Sequence, residues 1–352
     1  MRHPARTRPI AQSRLIAKAR QDGSVVLFFL LFLIPLLAFG AFAIDIARIA
    51  VARNELQNAA DAAALAGAGS LMASASSGPN WSQAQTAATS AIALNAADGK
   101  KFSTGTIGTG YWNLTGTPAG MEASTITPGT YDAPAVQVTI TRATNVNGGP
   151  IPLLLAGVMN IASVSGSATA VAVVTSPGTI GAGGLFPVAL DQCVYNQYWD
   201  STHNTPKIDP TTGAPYELQI SNSKTYGSSC SAGQWTSFLT NASDVPTLQA
   251  LMSSGNPTAV NIGDSIYLQP GSKTALYGSV PTATTVLMPV TTQTLNGTYE
   301  SVVAFAPFYI DASVGGSGKY IQGHFVAGYQ VPVPTGGAGP NYGAYSAPQL
   351  AS

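Results

Sequence analysis

The residues best suited to chemistry in this chain are two cysteines in its second half. Cys193 and Cys230 are the only cysteines among 352 residues. There is no Cys-x-x-Cys pair, and the nearest histidine, His203, stands alone, so the pattern does not favour a metal site. In an oxidising compartment two such cysteines commonly pair. We therefore predict a disulfide between Cys193 and Cys230, with two buried free thiols as the alternative.

The remaining polar candidates are weak. Four residues lie close in sequence and could bind a cation, although such residues are more often found in polar turns: Asp191, Asp200, His203 and Asp209. The run GGSGK at 315–319 resembles a phosphate-binding loop but lacks its leading Gly and its trailing Ser or Thr, which favours a hairpin turn. No Gly-x-Ser-x-Gly elbow precedes a helix, as a hydrolase would require. The sequence therefore predicts no catalytic residue, metal or cofactor.

Five aromatic residues flank the two cysteines: Tyr195, Tyr198, Trp199, Trp235 and Phe238. They could form a flat platform that binds carbohydrate, or a packed core around the disulfide. Because aromatic side chains bury large apolar areas, the core is the favoured interpretation. The platform would make the chain a tethered adhesin or carbohydrate-binding surface protein, which is the alternative function.

Short β-strands must position these residues. Residues 185–331 contain many short apolar runs separated by turn residues, which predicts an all-β module. Before it, residues 135–142 alternate with period two and residues 164–174 do so with small side chains, which predicts strands of a small antiparallel sheet. The glycine-rich run 176–184 is predicted to be a linker and residues 332–352 a disordered tail.

The N-terminus contains a predicted membrane span. Residues 25–44 carry no charge over twenty positions, a length that gives about 30 Å of helix and matches the hydrocarbon core of a bilayer. Residues 1–24 carry six basic side chains against one acidic, so the positive-inside rule places this segment in the cytoplasm. The alternative is a signal peptide cleaved after Ala43, but the apolar run exceeds the usual length and helical character continues beyond it.

Charge argues against nucleic acid as a partner. Charged residues make up only 9% of the chain, and the part after residue 24 holds nine basic and fourteen acidic side chains. A protein that binds phosphate backbones needs a basic face, which this composition does not favour.

An alanine-rich helix is predicted to continue from the span. The sequence favours one helix from Ser24 to Leu71, and a second helix over 81–97 that Ser82 opens. Arg53, Gln57 and Asp61 repeat every four residues and form a polar stripe, our candidate interaction face. Beside it lies a small-residue face, here called the alanine face, which would allow another element to approach closely: Leu56, Ala59, Ala60, Ala63 and Ala64.

Four features in this order resemble the N-terminal region of TadG-like proteins of the Flp pilus (tight adherence) machinery. They are Gly23 after a basic stretch, the apolar span, Asp45 with Arg48, and the run LQNAADAAALAGA at 56–68. The close resemblance covers about residues 20–72, and a looser one extends to about residue 175. It implies a single-pass protein of the bacterial inner membrane, whose bulk is periplasmic or extracellular. Implied partners are other pilus-assembly subunits, such as pseudopilins and membrane platform proteins.

Two departures refine this resemblance. Pilins processed by prepilin peptidase carry Glu at the fifth position after the cleavage Gly, where this chain has Phe28, so we expect an unprocessed subunit. A von Willebrand factor A module needs Asp-x-Ser-x-Ser, and the string that begins at Asp311 lacks the last Ser, so we expect no such module. The predicted fold is α+β: a transmembrane helix (25–44), a pilin-like helix-on-sheet region (45–175) and the β module (185–331). The predicted function is that of a non-enzymatic structural component.

Overall fold

The structure is a computed structural model that describes residues 24–72, 78–129, 131–154, 156–227 and 230–351. Residues 1–23, which carry all the basic side chains of the N-terminal segment and include Gly23, lie outside the described residues. Contacts divide the described chain into two compact units. One comprises residues 24–49 and 152–163, and the other comprises residues 50–151 and 164–351.

The helices begin with the predicted long one. The structure describes α1 (Ser24–Gly69), α2 (Trp81–Ala93), α3 (Gln192–Tyr198) and α4 (Val245–Ser254), with 3₁₀ helices at Ala156–Met159 and Thr274–Ser279. Helix α1 runs without a break through Pro35. The prediction of one helix from the span into the alanine-rich run is confirmed, and the helix ends two residues earlier than expected.

Helix α2 is shorter than predicted and begins at a different cap. It ends at Ala93 rather than 97, and the side chain of Asn80, not Ser82, accepts the backbone N–H of Gln83 at 3.1 Å. Capping by Asn satisfies one of the N–H groups that a helix start leaves without a partner.

Strands up to residue 191 follow in chain order: β1 (Ala96–Ala97), β2 (Lys100–Lys101), β3 (Thr106–Asn113), β4 (Met121–Ala123), β5 (Asp132–Arg142), β6 (Ile151–Pro152), β7 (Ser163–Val164), β8 (Gly166–Val173), β9 (Thr179–Ile180) and β10 (Val188–Asp191).

Later strands are β11 (Trp199–Asp200), β12 (Thr205–Pro206), β13 (Leu218–Ile220), β14 (Thr225–Tyr226), β15 (Cys230–Ser231), β16 (Gly233–Trp235), β17 (Val260–Asn261), β18 (Ser265–Tyr267), β19 (Thr284–Thr291), β20 (Tyr299–Val314), β21 (Tyr320–Phe325), β22 (Tyr329–Gln330), β23 (Thr335–Gly336), β24 (Ala344–Tyr345) and β25 (Gln349–Leu350).

The first large sheet has five antiparallel strands in the order β25-β8-β5-β3-β4. Alternate side chains of β5 point to one face, where Val136, Val138 and Ile140 are fully buried. They share one apolar core with the alanine face of α1 and with Ala88 of α2. The predicted helix packed on a small antiparallel sheet is therefore confirmed.

The second large sheet has seven strands in the order β13-β21-β20-β19-β10-β16, and β18 pairs with β20. Only β10 and β19 run parallel among the pairs of this sheet. Its core is separate from that of the first sheet and includes Trp235, Phe308 and Phe325. The C-terminal module is mainly β, as predicted, although it also contains α3 and α4.

The predicted linker and disordered tail are wrong. Within 176–184, β9 is the middle strand of a three-stranded sheet, between β17 and β23, and Ile180 is fully buried. Within 332–352, β25 pairs with β8, and Tyr345 lies in the core beneath the five-stranded sheet. The tail is ordered because it completes a sheet edge and fills a core, and composition does not reveal either role.

Candidate anchor and assembly interface

The N-terminal half of α1 presents apolar side chains on nearly all sides. Large side chains that are more than half exposed include Val25, Leu27, Phe29, Leu31, Phe32, Leu36, Leu37, Phe39, Phe42 and Ile44. Among the described residues this is the one helix long and apolar enough to cross a membrane. A contiguous apolar surface of this extent needs an apolar environment, such as lipid, to cover it.

Asp45 follows the apolar segment directly and is almost completely buried, with 2% of its surface exposed. Its two carboxylate oxygens accept backbone N–H groups from Leu154, at 2.7 Å, and from Ala156, at 2.9 Å. Hydrogen bonds from backbone N–H groups compensate for the cost of burying a carboxylate. The sequence singled out Asp45 but missed these partners, which lie more than a hundred residues away.

The loop that holds these partners also corrects a sequence interpretation. The looser resemblance rests on the run PLLLAGVMNIASVSGSATAVAV, which begins at residue 152 and resembles a small-residue strand of the family. In the structure, the strand β8 begins only at Gly166, and the earlier part contains the 3₁₀ helix Ala156–Met159. The hydrogen bonds to Asp45 hold the start of that 3₁₀ helix, which explains why the chain is not extended there.

The alanine face packs inside the protein. All five of its residues are at most 1% exposed. Just beyond it on α1, a Cβ atom added at Gly67 would lie 2.9 Å from Val136 Cγ1 and 3.1 Å from the carbonyl oxygen of Ala84. Small residues therefore allow α1, α2 and β5 to approach one another closely. The close approach by another element that the sequence predicts for this face is therefore made within the protein's own core.

The polar stripe beside it remains accessible. Arg53 and Gln57 are exposed, and Asp61 is partly exposed. The Gln57 side-chain amide donates to Asp61 Oδ1 at 2.8 Å and to the carbonyl oxygen of Thr169 at 3.3 Å. The structure thus brings Gln57 and Asp61 together, as the four-residue spacing predicts. Docking of a partner on this stripe stays a prediction.

The predicted disulfide is present. Cys193 in α3 and Cys230 in β15 are bonded, with their Cα atoms 5.8 Å apart. Closing a loop of 37 residues stabilises the fold by about 4 kcal/mol in the chain-entropy model. The bond ties α3 to the strand pair β14–β15 within the C-terminal module.

The aromatic residues around the disulfide form a core and not a platform. Four of the five are nearly completely buried, and Tyr198 is partly buried. The ring of Tyr195 stacks on that of Tyr342, with 3.9 Å between the ring centroids. It packs edge to face against the ring of Phe325, with 4.9 Å between the centroids. Burial raises the pKa of Tyr195 well above its ordinary value. The four buried rings are therefore not available to stack on a sugar.

The polar candidates have local structural roles at strand ends and turns. Asp191 caps α3 through the N–H of Cys193, and Asp209 accepts the N–H of Thr211. The His203 ring bonds to Asp200 at 2.6 Å, which lowers the pKa of that carboxyl. No group of three or more His, Cys, Asp or Glu side chains in the described residues could hold a metal. The GGSGK run is the turn between β20 and β21.

Comparison with known families agrees with the N-terminal resemblance. A Flp pilus-assembly TadE/G-like family model matches residues 23–70, and a Tad-like Flp pilus-assembly model matches residues 66–172. Together the two matches cover residues 23–172, so this part of the chain is similar to Tad-type Flp pilus-assembly proteins. No curated protein matches the chain, and neither does any solved structure.

The matched region contains the apolar segment of α1 and most of the helix-on-sheet core. It spans α1, α2 and the strands β3, β4, β5 and most of β8. The resemblance predicted from the sequence is thereby confirmed. Both matched families are described as pilus-assembly families.

Proposed function

We propose that the chain is a membrane-anchored, non-enzymatic structural component of Flp/Tad-type pilus assembly or a related secretion apparatus. It acts through protein contacts outside the cytoplasm. The observation that carries this proposal is that α1 is one unbroken helix with two different surfaces. Its first half exposes apolar side chains on nearly all sides, and its second half inserts the alanine face into a folded core. One element therefore anchors and carries the rest of the protein.

Charge distribution supports the orientation. The six basic residues before the apolar segment favour a cytoplasmic N-terminus in the bacterial inner membrane. Everything after Ile44 then lies in the periplasm or outside the cell. The disulfide is consistent with this placement because disulfides persist in oxidising compartments.

Partners of the proposed kind are other pilus-assembly subunits, such as pseudopilins and membrane platform proteins. The family matches support assembly components as a class. The polar stripe of Arg53, Gln57 and Asp61 is our candidate contact, because it is accessible while the neighbouring alanine face is buried. A charged side chain on such a rim would contribute mainly to the specificity of association.

Reporter fusions test the orientation. We expect alkaline phosphatase fused after Leu71 to be active, and green fluorescent protein exported unfolded at the same point to be dark. The opposite pattern would overturn the proposed topology. Intact mass of the purified chain provides a second test: a mature protein that begins at Ile44 would show a cleaved signal peptide in place of an anchor.

A further inference from the structure

We propose that the loop formed by the described residues 152–154 and 156–163 is a second membrane-contacting element, which lies in the surface of the bilayer beside the end of the span. This inference rests on the proposed anchoring by α1. It adds a second attachment point, made by a segment more than a hundred residues away in sequence.

The loop has the composition of a lipid-facing surface. No Asp, Glu, Lys, Arg or His occurs between Arg142 and Asp191, and the loop itself contains the run PLLLAGVMNIA. Leu154 and Ile161 are 63% and 52% exposed, although both are large and apolar. When apolar side chains beside a membrane-spanning segment enter the interface, the free energy of the system falls because their apolar surface leaves water.

Asp45 determines where the loop lies along the axis of α1. Asp45 is the first charged residue after the apolar segment, and its carboxylate holds the amides of Leu154 and Ala156. Side chains of an α-helix tilt toward its N-terminus, which here is the direction of the span. The loop therefore lies where the helix leaves the hydrocarbon region.

Burial on the same face of the helix agrees with this position. Ala41 precedes Asp45 by four residues, so the two lie on one side of α1. Ala41 is only 7% exposed, whereas Phe42, on another side of the helix, is 55% exposed. Leu37, one turn before Ala41 on the same side, is 64% exposed, so the cover ends near Ala41. Since the loop belongs to the same compact unit as this part of α1, we take it to cover the last turn of the span.

The backbone of the loop also suits a position in the interface. Lipid offers no partner for a free N–H group, so loops that contact it must satisfy their polar groups internally. Leu153 donates to the carbonyl of Ala162, and Ile161 donates to that of Ala156. Asp45 receives the amides of Leu154 and Ala156.

Site-directed labelling of the full-length chain tests the proposal. Leu154→Cys and, as a second position, Ile161→Cys are each labelled with an NBD maleimide. The native cysteines are bonded and do not react without reductant. Each protein is reconstituted in phosphatidylethanolamine–phosphatidylglycerol vesicles, with and without lipids that carry a nitroxide. Leu36→Cys reports on the span, and Leu295→Cys is an exposed control in the C-terminal module.

We expect blue-shifted emission and strong nitroxide quenching at the two loop positions and at Leu36, but not at Leu295. Quenching at Leu36 with no more quenching at either loop position than at Leu295 would overturn the loop proposal and leave the anchor intact. Absence of quenching at Leu36 as well would overturn the proposed anchoring, and the loop proposal with it.

Discussion

Replacing Ala60 with Leu should destabilise the fold without changing any charge or hydrogen bond. Ala60 is fully buried on the alanine face, where α1 packs against α2 and the five-stranded sheet. Ala and Leu differ little in helix propensity, so the main effect is the insertion of three carbon atoms into a filled core. Overpacking of this kind typically costs about 1–3 kcal/mol. We expect the free energy of unfolding to fall by that amount.

The matched control is Ala62→Leu, which makes the same change on the exposed side of the same helix. Its free energy of unfolding should change by less than about 0.5 kcal/mol. The assay is urea unfolding of the full chain in mild detergent, followed by tryptophan fluorescence. Trp81 packs against the same core and reports on its loss. Equal stability of the two variants, or a more stable Ala60→Leu, would refute close internal packing of this face.

Two further predictions concern the disulfide and the polar stripe. Protein made through the export route should contain the Cys193–Cys230 bond, and replacing both cysteines with Ser should lower the free energy of unfolding by about 4 kcal/mol. Two alkylatable thiols in the freshly purified native protein, detected by peptide mass spectrometry, would contradict the predicted bond. Asp61→Asn keeps the oxygen that accepts the Gln57 amide, so protein levels should be normal while piliation and surface adherence fall; wild-type piliation at normal protein levels would exclude a docking role for Asp61.

Local patterns were sufficient to predict the elements built from continuous runs. Helix α1 was predicted from the charge-free segment and from the four-residue spacing of Arg53, Gln57 and Asp61. Its buried face was predicted from the small residues between them. Alternation with period two located β5 and β8. Helix α4 also has a local signal in the sequence, because Asp244 caps it and Pro246 lies in its first turn.

Features that depend on distant contacts could not be predicted in this way. Arg142 ended an alternating strand in sequence, yet it is 1% exposed and donates to the carbonyls of Ala97, Gly149 and Pro150. A buried guanidinium is tolerated only when its N–H groups are satisfied, and all three partners lie outside the strand.

The tail and the loop at Asp45 were missed for the same reason. Residues 332–352 have the composition of a disordered segment, but Ser346 donates to or accepts from Thr175 at 2.8 Å, and β25 extends the five-stranded sheet. Their order comes from partners about 170 residues earlier, which composition alone does not reveal.

Deletion of the gene tests the central claim most directly. Flp pili and surface adherence are measured in the deletion strain after complementation with the full-length chain, or with a version whose residues 1–44 are replaced by a cleavable signal sequence. We predict that pili are lost on deletion, that the full-length chain restores them, and that the version without an anchor does not, although it is exported at normal levels. Normal piliation in the deletion strain, or full rescue by the version without an anchor, would contradict a membrane-anchored role in pilus assembly.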